Sequence, residues 1–138
     1  MKDIFILDAC ALIAFLADEE GAEKVERILE DAKRGACKIF MNKINLLEVY
    51  YGIYREEGIE KAEEVLKNIQ DLPIKVISSL KSKIFKKAGR LKATYKISLA
   101  DSIALAEAAA KKAQLITADH HEFDEVESKE EINFCWIR

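Results

Sequence analysis

The sequence predicts a three-layer α/β domain in which helices cover both faces of a parallel sheet. Short apolar segments alternate with amphipathic helical segments along the whole chain, and strands that are joined through helices pair in parallel. The chain has 138 residues, of which 50% are hydrophobic and 34% are charged. That length and balance are typical of a single soluble domain, so we expect residues 1–138 to form one domain.

The first half of the chain begins with an apolar run, residues 4–7, which ends at Asp8 and predicts a strand buried on both faces. Gly35 and Gly58 are the expected ends of helices. Amphipathic spacing predicts helices at residues 9–17, 22–33, 44–57 and 59–69, and an apolar segment predicts a second strand at 38–41.

In the second half, Pro73 interrupts the helical pattern and precedes a third strand. The spacing of apolar residues predicts two long helices, one short helical segment and two more strands. The predicted elements are strands at residues 74–77, 114–117 and 133–136 and helices at 80–95, 99–112 and 120–125.

Composition argues against several classes of protein. Asp3 and Asp8 interrupt the N-terminal apolar stretch, which argues against a signal peptide or a membrane span. The three cysteines lack the spacing of zinc ligands or of a disulfide framework, and reduced thiols favour a cytoplasmic location.

The net charge of −3 does not favour nucleic-acid binding, but the charge is unevenly distributed along the chain. Between Asp71 and Asp101 there are eight basic residues and no acidic one.

Four acidic residues are the candidate catalytic and metal-binding groups: Asp8, Glu48, Asp101 and Asp119. Asp8 and Asp119 follow predicted strands, and open parallel sheets bind ligands beyond the carboxyl ends of their strands. The three aspartates also have a structural explanation, because each stands where a helix begins and can cap free N–H groups. Asp101 matches a capping box with Ser98, and Asp119 matches one with Glu122.

Glu48 has no such explanation, because it lies in the middle of a predicted helix. The positions four residues away are Ile44 and Gly52, not basic residues. A carboxylate among apolar neighbours needs a cation or hydrogen bonds; pairing with Lys43 or Arg55 is the alternative to a metal. Clustered carboxylates repel one another without a divalent cation, and oxygen-only ligation favours Mg²⁺ or Mn²⁺. Such a site predicts hydrolysis of a phosphodiester.

Four segments together resemble the PIN-domain nucleases, in particular the VapC-type toxins of bacteria and archaea. Each segment alone is weak, but four in this order and at ordinary spacing, over nearly the whole chain, are specific. They are Ile-Leu-Asp8-Ala-Cys-Ala-Leu-Ile, Asn45-Leu-Leu-Glu48-Val-Tyr-Tyr-Gly52, Ile97-Ser-Leu-Ala-Asp101-Ser-Ile-Ala-Leu-Ala and Leu-Ile-Thr117-Ala-Asp119.

The resemblance implies a PIN-like nuclease domain over residues 1–138, with a five-stranded parallel sheet. It implies a Mg²⁺- or Mn²⁺-dependent endoribonuclease, the toxin of a type II toxin-antitoxin pair, that forms homodimers and binds a cognate antitoxin. Thr117 matches a supporting hydroxyl residue, whereas Asn45 departs from the frequent serine or threonine at its supporting position. The family's three metal-binding acids align with Asp8, Glu48 and Asp101, and a more variable fourth aligns with Asp119.

Several other residues have two interpretations. The basic segment could neutralise an RNA backbone, with Lys92 and Lys96 as the candidates, or form a solvated helix face. The adjacent His120 and His121 could bind a metal, but an exposed position is more common for such a pair. Three tyrosines of one helix could pack in the core or form a partner interface: Tyr50, Tyr51 and Tyr54.

Three other functions compete with the toxin ribonuclease. A haloacid-dehalogenase-like phosphatase also has an aspartate after its first strand, but it needs a second aspartate where this chain has Cys10. A non-catalytic PIN-like module would bind RNA or a protein without cutting. A housekeeping RNA-processing nuclease would share the site and differ only in its biological role.

Overall fold

The computed structural model describes residues 2–138 and contains five strands and seven helices within that range. Every predicted element is present, and the predictions at residues 22–33, 59–69, 114–117 and 133–136 match to the residue. In chain order the elements are β1 (Asp3–Leu7), α1 (Ala9–Leu16), α2 (Ala22–Lys33), β2 (Cys37–Asn42), α3 (Lys43–Glu57), α4 (Ile59–Ile69), β3 (Lys75–Ile77), α5 (Ser82–Thr94), α6 (Leu99–Lys111), β4 (Gln114–Thr117), α7 (His120–Lys129) and β5 (Asn133–Trp136).

The five strands form one sheet in the order β3-β2-β1-β4-β5. All four neighbouring pairs are parallel. The chain adds β2 and β3 on one side of β1, and then returns to place β4 on the other side. The strand order therefore reverses between β1 and β4, which is the position where open parallel sheets bind ligands.

Helices cover both faces of the sheet. Phe5 and Leu7 of β1 belong to one core, which α1, α2, α3 and α4 close. Ile6, between them, belongs to a second core closed by α5, α6 and α7. Successive side chains of a strand point to opposite faces, so β1 contributes to both cores. The arrangement confirms the predicted three-layer α/β/α fold with a five-stranded parallel sheet.

Helix α7 is longer than the short segment predicted at residues 120–125, because it continues to Lys129. Phe123 and Val126 are fully buried and stand three residues apart, so they lie on one face of the helix. Burial of this apolar face extends the helix four residues beyond the predicted end at Glu125.

All three cysteines carry free thiols. Burial, together with the charge of Asp8, raises the pKa of Cys10 to about 11, so its thiol stays protonated at neutral pH. Among residues 2–138, no helix is both long enough and apolar enough to cross a bilayer.

A buried polar network joins α6 to the end of β2. Glu107 is only 1% exposed, and it accepts a hydrogen bond of 2.9 Å from the Asn42 side-chain amide. Its other carboxylate oxygen lies 3.0 Å from the Lys111 ammonium. A buried carboxylate without partners is strongly unfavourable, so these two donors are what allow Glu107 to lie in the interior.

Replacement of Glu107 by alanine is expected to lower the free energy of unfolding by about 2–4 kcal/mol, because it leaves the Asn42 amide unpaired and opens a cavity. Glu107→Gln keeps the volume and one acceptor, and it is expected to cost less. Urea denaturation of both variants measures the difference. The exposed Glu64, which lies 3.9 Å from Lys61, provides the control, since Glu64→Ala should cost at most about 1 kcal/mol. Equal losses at the two positions would contradict this role of Glu107.

Candidate metal-binding site

The four predicted acids come from four elements that meet near the reversal of strand order. Asp8 follows β1 and Asp119 follows β4, the two neighbouring strands of the reversal. Asp101 lies in the first turn of α6, and Glu48 lies in the middle of α3. The charges of Asp101 and Asp119 raise the pKa of Asp8, and the charge of Glu48 raises the pKa of Asp101. The four carboxylates are therefore electrostatic neighbours.

The tightest group of acids includes one residue that sequence reasoning did not select. Carboxylate oxygens of Asp101, Asp119 and Glu122 all lie within 4.8 Å of one another. Asp8 and Glu48 are not members of this trio. The sequence pattern places Glu122 only in a capping box with Asp119. The position of Glu122 one helical turn beyond Asp119, on the same face, is the signal that could have predicted its place in the trio.

Two of the three aspartates, Asp8 and Asp119, are helix caps, and the third, Asp101, lies in the first turn of a helix that Ser98 caps. Asp8 Oδ1 accepts a hydrogen bond of 2.8 Å from the Ala11 N–H at the start of α1. Asp119 Oδ1 accepts one of 3.1 Å from the Glu122 N–H. In the capping box of α6, the Asp101 N–H donates to Ser98 Oγ over 3.1 Å. Capping therefore fixes the side chains of Asp8 and Asp119 at helix starts, and it does not exclude a second role for them.

Burial is the main cause of the raised pKa values of Asp8 and Asp101. Asp8 is 2% exposed, and burial raises its pKa from 3.8 to about 7 in spite of hydrogen bonds from Thr117 and Ala11. The pKa of Asp101 is raised from 3.8 to about 6, chiefly by burial and in smaller part by the charges of Glu48, Asp119 and Glu122. Without a cation, these carboxylates therefore tend to hold protons near neutral pH.

Glu48 lies half-buried on α3, and burial raises its pKa. The alternative partners Lys43 and Arg55 form no ion pair with it within residues 2–138. The Arg55 guanidinium instead lies 5.4 Å from the centre of the Tyr51 ring. Glu48 is thus a partly desolvated carboxylate without a basic neighbour, which is the condition that favours a metal ion.

Two polar residues support the acids. The hydroxyl of the buried Thr117 accepts a hydrogen bond of 3.1 Å from the Asp119 N–H and donates one to Asp8. The Asn45 amide donates over 3.1 Å to the Ala100 carbonyl, which joins the helix of Glu48 to the helix of Asp101. Asn45 Oδ1 is buried and has no hydrogen-bond partner among the described residues. A buried acceptor of this kind is normally satisfied by a water or an ion.

The donor set fits a hard divalent cation. The close trio offers only carboxylate oxygens, and Mg²⁺ and Mn²⁺ prefer oxygen ligands. A cation there would relieve the repulsion that raises the pKa of Asp101. Neither His120 nor His121 is a member of the acidic trio. Both ring nitrogens of His120 are already hydrogen-bonded, to Asp124 over 2.8 Å and to the Arg138 carbonyl over 2.9 Å.

Comparison with known families identifies the domain. The family model of the PIN domain matches residues 5–129, which is most of the chain and contains all five carboxylates. The chain belongs to the PIN-domain family. No curated protein sequence shows significant similarity to it.

Solved structures share the PIN-domain fold with this chain at low sequence identity. VapBC from Salmonella typhimurium bound to DNA is 16% identical over 100% of both chains, with a TM-score of 0.73. VapBC2 from Rickettsia felis bound to a promoter DNA fragment is 18% identical and covers 96% of this chain and 97% of that chain, with a TM-score of 0.72. The sarcin-ricin loop cleaving toxin VapC20 from Mycobacterium tuberculosis is 13% identical over 89% of this chain and 95% of that chain, with a TM-score of 0.65.

The basic segment of this PIN domain is exposed, but its members differ in their pairing. Lys92 and Lys96 are exposed and form no ion pair among the described residues. Arg90 makes two hydrogen bonds to Glu130, of 3.2 and 2.6 Å, and Lys87 lies 4.0 Å from the same carboxylate. Lys92 and Lys96 are therefore free to bind an external anion, whereas Arg90 is held within the fold.

Two exposed apolar patches lie on the helices that carry Glu48 and Asp101. The α3 patch consists of Ile44, Leu47, Tyr51 and Tyr54, and the α5–α6 patch consists of Leu80, Phe85 and Leu99. The third tyrosine of α3, Tyr50, is half-buried. The α5–α6 patch borders a cavity of about 370 Å³. Contiguous exposed apolar surface of this kind is typical of protein interaction sites.

Proposed function

We propose that residues 1–138 act as one nuclease domain, a Mg²⁺- or Mn²⁺-dependent endoribonuclease that hydrolyses RNA phosphodiester bonds. The observation that carries the proposal is the group of carboxylates with metal-ligand spacing, at the reversal of strand order of a PIN domain. Membership of the family alone would leave the activity open, because a non-catalytic module can keep the fold and lose the acids.

The proposed catalytic and metal-binding residues are Asp8, Glu48, Asp101 and Asp119, and we add Glu122 on the strength of the close trio. These acids would hold a divalent ion, which would supply an activated water and stabilise the charge that develops on the phosphodiester. Thr117 and Asn45 keep the acids in place through the hydrogen bonds described above.

Lys92 and Lys96 are the proposed contacts to the RNA backbone. Their side chains are exposed, and phosphate neutralisation by lysine contributes affinity without sequence specificity. This arrangement would guide a polyanion toward an acidic site in a protein whose net charge is −3.

We further propose that the nuclease is the cytoplasmic toxin of a type II toxin-antitoxin pair. The solved structures that share this fold include a toxin-antitoxin complex from Klebsiella pneumoniae and VapBC from Salmonella typhimurium. The α3 patch and the α5–α6 patch provide two separate apolar surfaces, as a cognate antitoxin and a second copy of the chain would each require. A housekeeping RNA-processing nuclease remains the alternative role, and it would lack the antitoxin.

Incubation of labelled structured RNA with the protein is expected to give endonucleolytic products with Mn²⁺ or Mg²⁺ and none with excess EDTA. Gel electrophoresis separates the products, and a 5′-phosphate end distinguishes them from the products of metal-independent ribonucleases. Restoration of cleavage when Mn²⁺ is added to the EDTA sample controls for irreversible inactivation. If RNA binds with metal present but remains intact, the non-catalytic module is the correct interpretation.

A further inference from the structure

Three rings from β5 and α7 form a continuous stack at the edge of the sheet. The His120 and Trp136 rings lie 3.8 Å apart between centres, with an angle of 10° between their planes. The Phe134 and Trp136 rings lie 5.2 Å apart, again at 10°. We call these three rings the aromatic stack. Near-parallel rings at such distances are an attractive arrangement.

The imidazole of His120 is fixed in its plane by more than the indole beneath it. One ring nitrogen lies 2.8 Å from Asp124 Oδ1 and the other lies 2.9 Å from the Arg138 carbonyl oxygen. Trp136 in turn donates its indole N–H to Glu127 over 3.0 Å. Hydrogen bonds at both nitrogens prevent the imidazole from rotating, so its orientation is set before any ligand arrives.

One face of the imidazole nevertheless remains open. The His120 side chain is 49% exposed, although Trp136 covers one face and both nitrogen edges are bonded. The face opposite Trp136 is therefore free to contribute to this exposed area. An oriented aromatic face that stays open to solvent has the properties of a stacking surface for another flat ring.

His120 and Trp136 lie at the same carboxyl edge of the sheet as the candidate metal site. Trp136 pairs with Thr117, which stands two residues before Asp119. His120 directly follows Asp119 in the chain, so the Cα atoms of His120 and Asp119 are about 3.8 Å apart. An RNA whose phosphate reaches the acids would thus bring a neighbouring base within reach of the imidazole, and sequence-tolerant stacking on aromatic side chains is how unpaired bases are commonly held.

We propose that the open face of His120, supported by Trp136, is a stacking platform for one unpaired nucleobase of the RNA substrate next to the phosphate that is cut. The proposal rests on the ribonuclease function proposed above and assigns to it a positioning residue for the substrate. Trp136 and Phe134 hold the platform from behind, while His120 alone contacts the base.

Binding of a short fluorescein-labelled single-stranded RNA, measured by anisotropy with Mn²⁺ present, tests the platform. All proteins carry Asp101→Asn so that the RNA stays intact. Loss of one base–aromatic stack is worth a factor of about 5 to 150 in affinity, and this is the expected weakening for His120→Ala. His120→Phe keeps a flat ring and should retain most of the affinity. His121→Ala is the matched control, because His121 belongs to neither the stack nor a hydrogen bond within residues 2–138.

A second comparison separates stacking from a general loss of binding. The same RNA with an abasic site at the stacked nucleotide is expected to bind the His120→Ala variant and its parent equally, because there is no base left to lose. Trp136, the only tryptophan, should change its emission when the intact RNA binds to the parent.

The proposal is overturned if His120→Ala and His121→Ala bind the intact RNA equally, or if the loss in His120→Ala is unchanged in every abasic RNA. Cleavage by the protein without Asp101→Asn is scored separately. RNA that is cut without any dependence on His120 removes the platform and leaves the nuclease. RNA that stacks on His120 but is never cut removes the nuclease and leaves the platform.

Discussion

Replacement of Asp101 by asparagine is expected to slow metal-dependent RNA cleavage by more than about 100-fold. Even substitutions of residues that merely support metal ligands cost about 10- to 100-fold, and Asp101 belongs to the close carboxylate trio itself. The asparagine has nearly the same shape, and the backbone N–H that bonds Ser98 is unchanged, so α6 should form normally. Single-turnover cleavage of labelled RNA with Mn²⁺ measures the effect.

Asp31→Asn is a suitable control for this experiment, because Asp31 is an exposed aspartate of α2 that pairs with Arg34. It should cleave RNA as fast as the unmodified protein. Circular dichroism and the thermal midpoint verify that both variants fold. Equal cleavage rates for Asp101→Asn and the unmodified protein would show that the acids do not form the catalytic site.

The same assay tests whether Glu122 belongs to the site. Glu122 and Glu125 stand one turn apart on α7, but only Glu122 lies in the trio, whereas Glu125 pairs with Lys129 at 3.1 Å in solvent. Glu122→Gln is therefore expected to slow cleavage by about tenfold or more, and Glu125→Gln to leave it unchanged. A similar cleavage rate for both variants would show that Glu122 has no part in the catalytic site and is only a residue of the first turn of α7.

Without metal, the protein is expected to lose stability as the pH rises from about 4 to about 8. In the fold, the pKa of Asp8 is about 7 and that of Asp101 about 6, against ordinary values of 3.8. Because the folded-state values are raised, the fold favours the protonated acids. Their contribution is complete below the ordinary pKa and is lost as each acid ionises in the fold. Each pKa unit corresponds to about 1.4 kcal/mol, so the rises of Asp8 to about 7 and of Asp101 to about 6 together correspond to a loss of about 7 kcal/mol.

Mn²⁺ is expected to reverse this trend, because the ion needs the ionised carboxylates and binds only the folded protein. The rise in thermal midpoint with Mn²⁺ should be small near pH 5 and large near pH 8, where protons no longer compete with the ion for the carboxylates. Titration calorimetry near pH 6 in two buffers of different ionisation enthalpy should detect the release of protons. A midpoint shift that is independent of pH would contradict the raised pKa values. In the Asp101→Asn variant, the shift caused by Mn²⁺ should be smaller at every pH.

Much of this structure could be predicted because the deciding interactions are local. Amphipathic spacing and the glycine after Glu57 place α2 and α4 correctly, and the caps at Asp8, Ser98 and Asp119 form as their positions predicted. Each of these interactions spans four residues or fewer. The same locality explains the error in α7, whose length depends on burial of Phe123 and Val126 against the rest of the domain.

The sequence by itself determined the order of strands and helices, the helix caps Asp8, Ser98 and Asp119, and the family resemblance. Only the tertiary structure decided which carboxylates meet, because the distance between Asp101 and Glu122 depends on the placement of α6 and α7 against the sheet. It also decided the protonation of Asp8, since burial by distant segments raises its pKa. The stack of His120 on Trp136 likewise joins residues 16 positions apart. Helix formation and capping act between near neighbours in the chain, whereas ligand geometry, desolvation and stacking depend on contacts that exist only after the chain has folded.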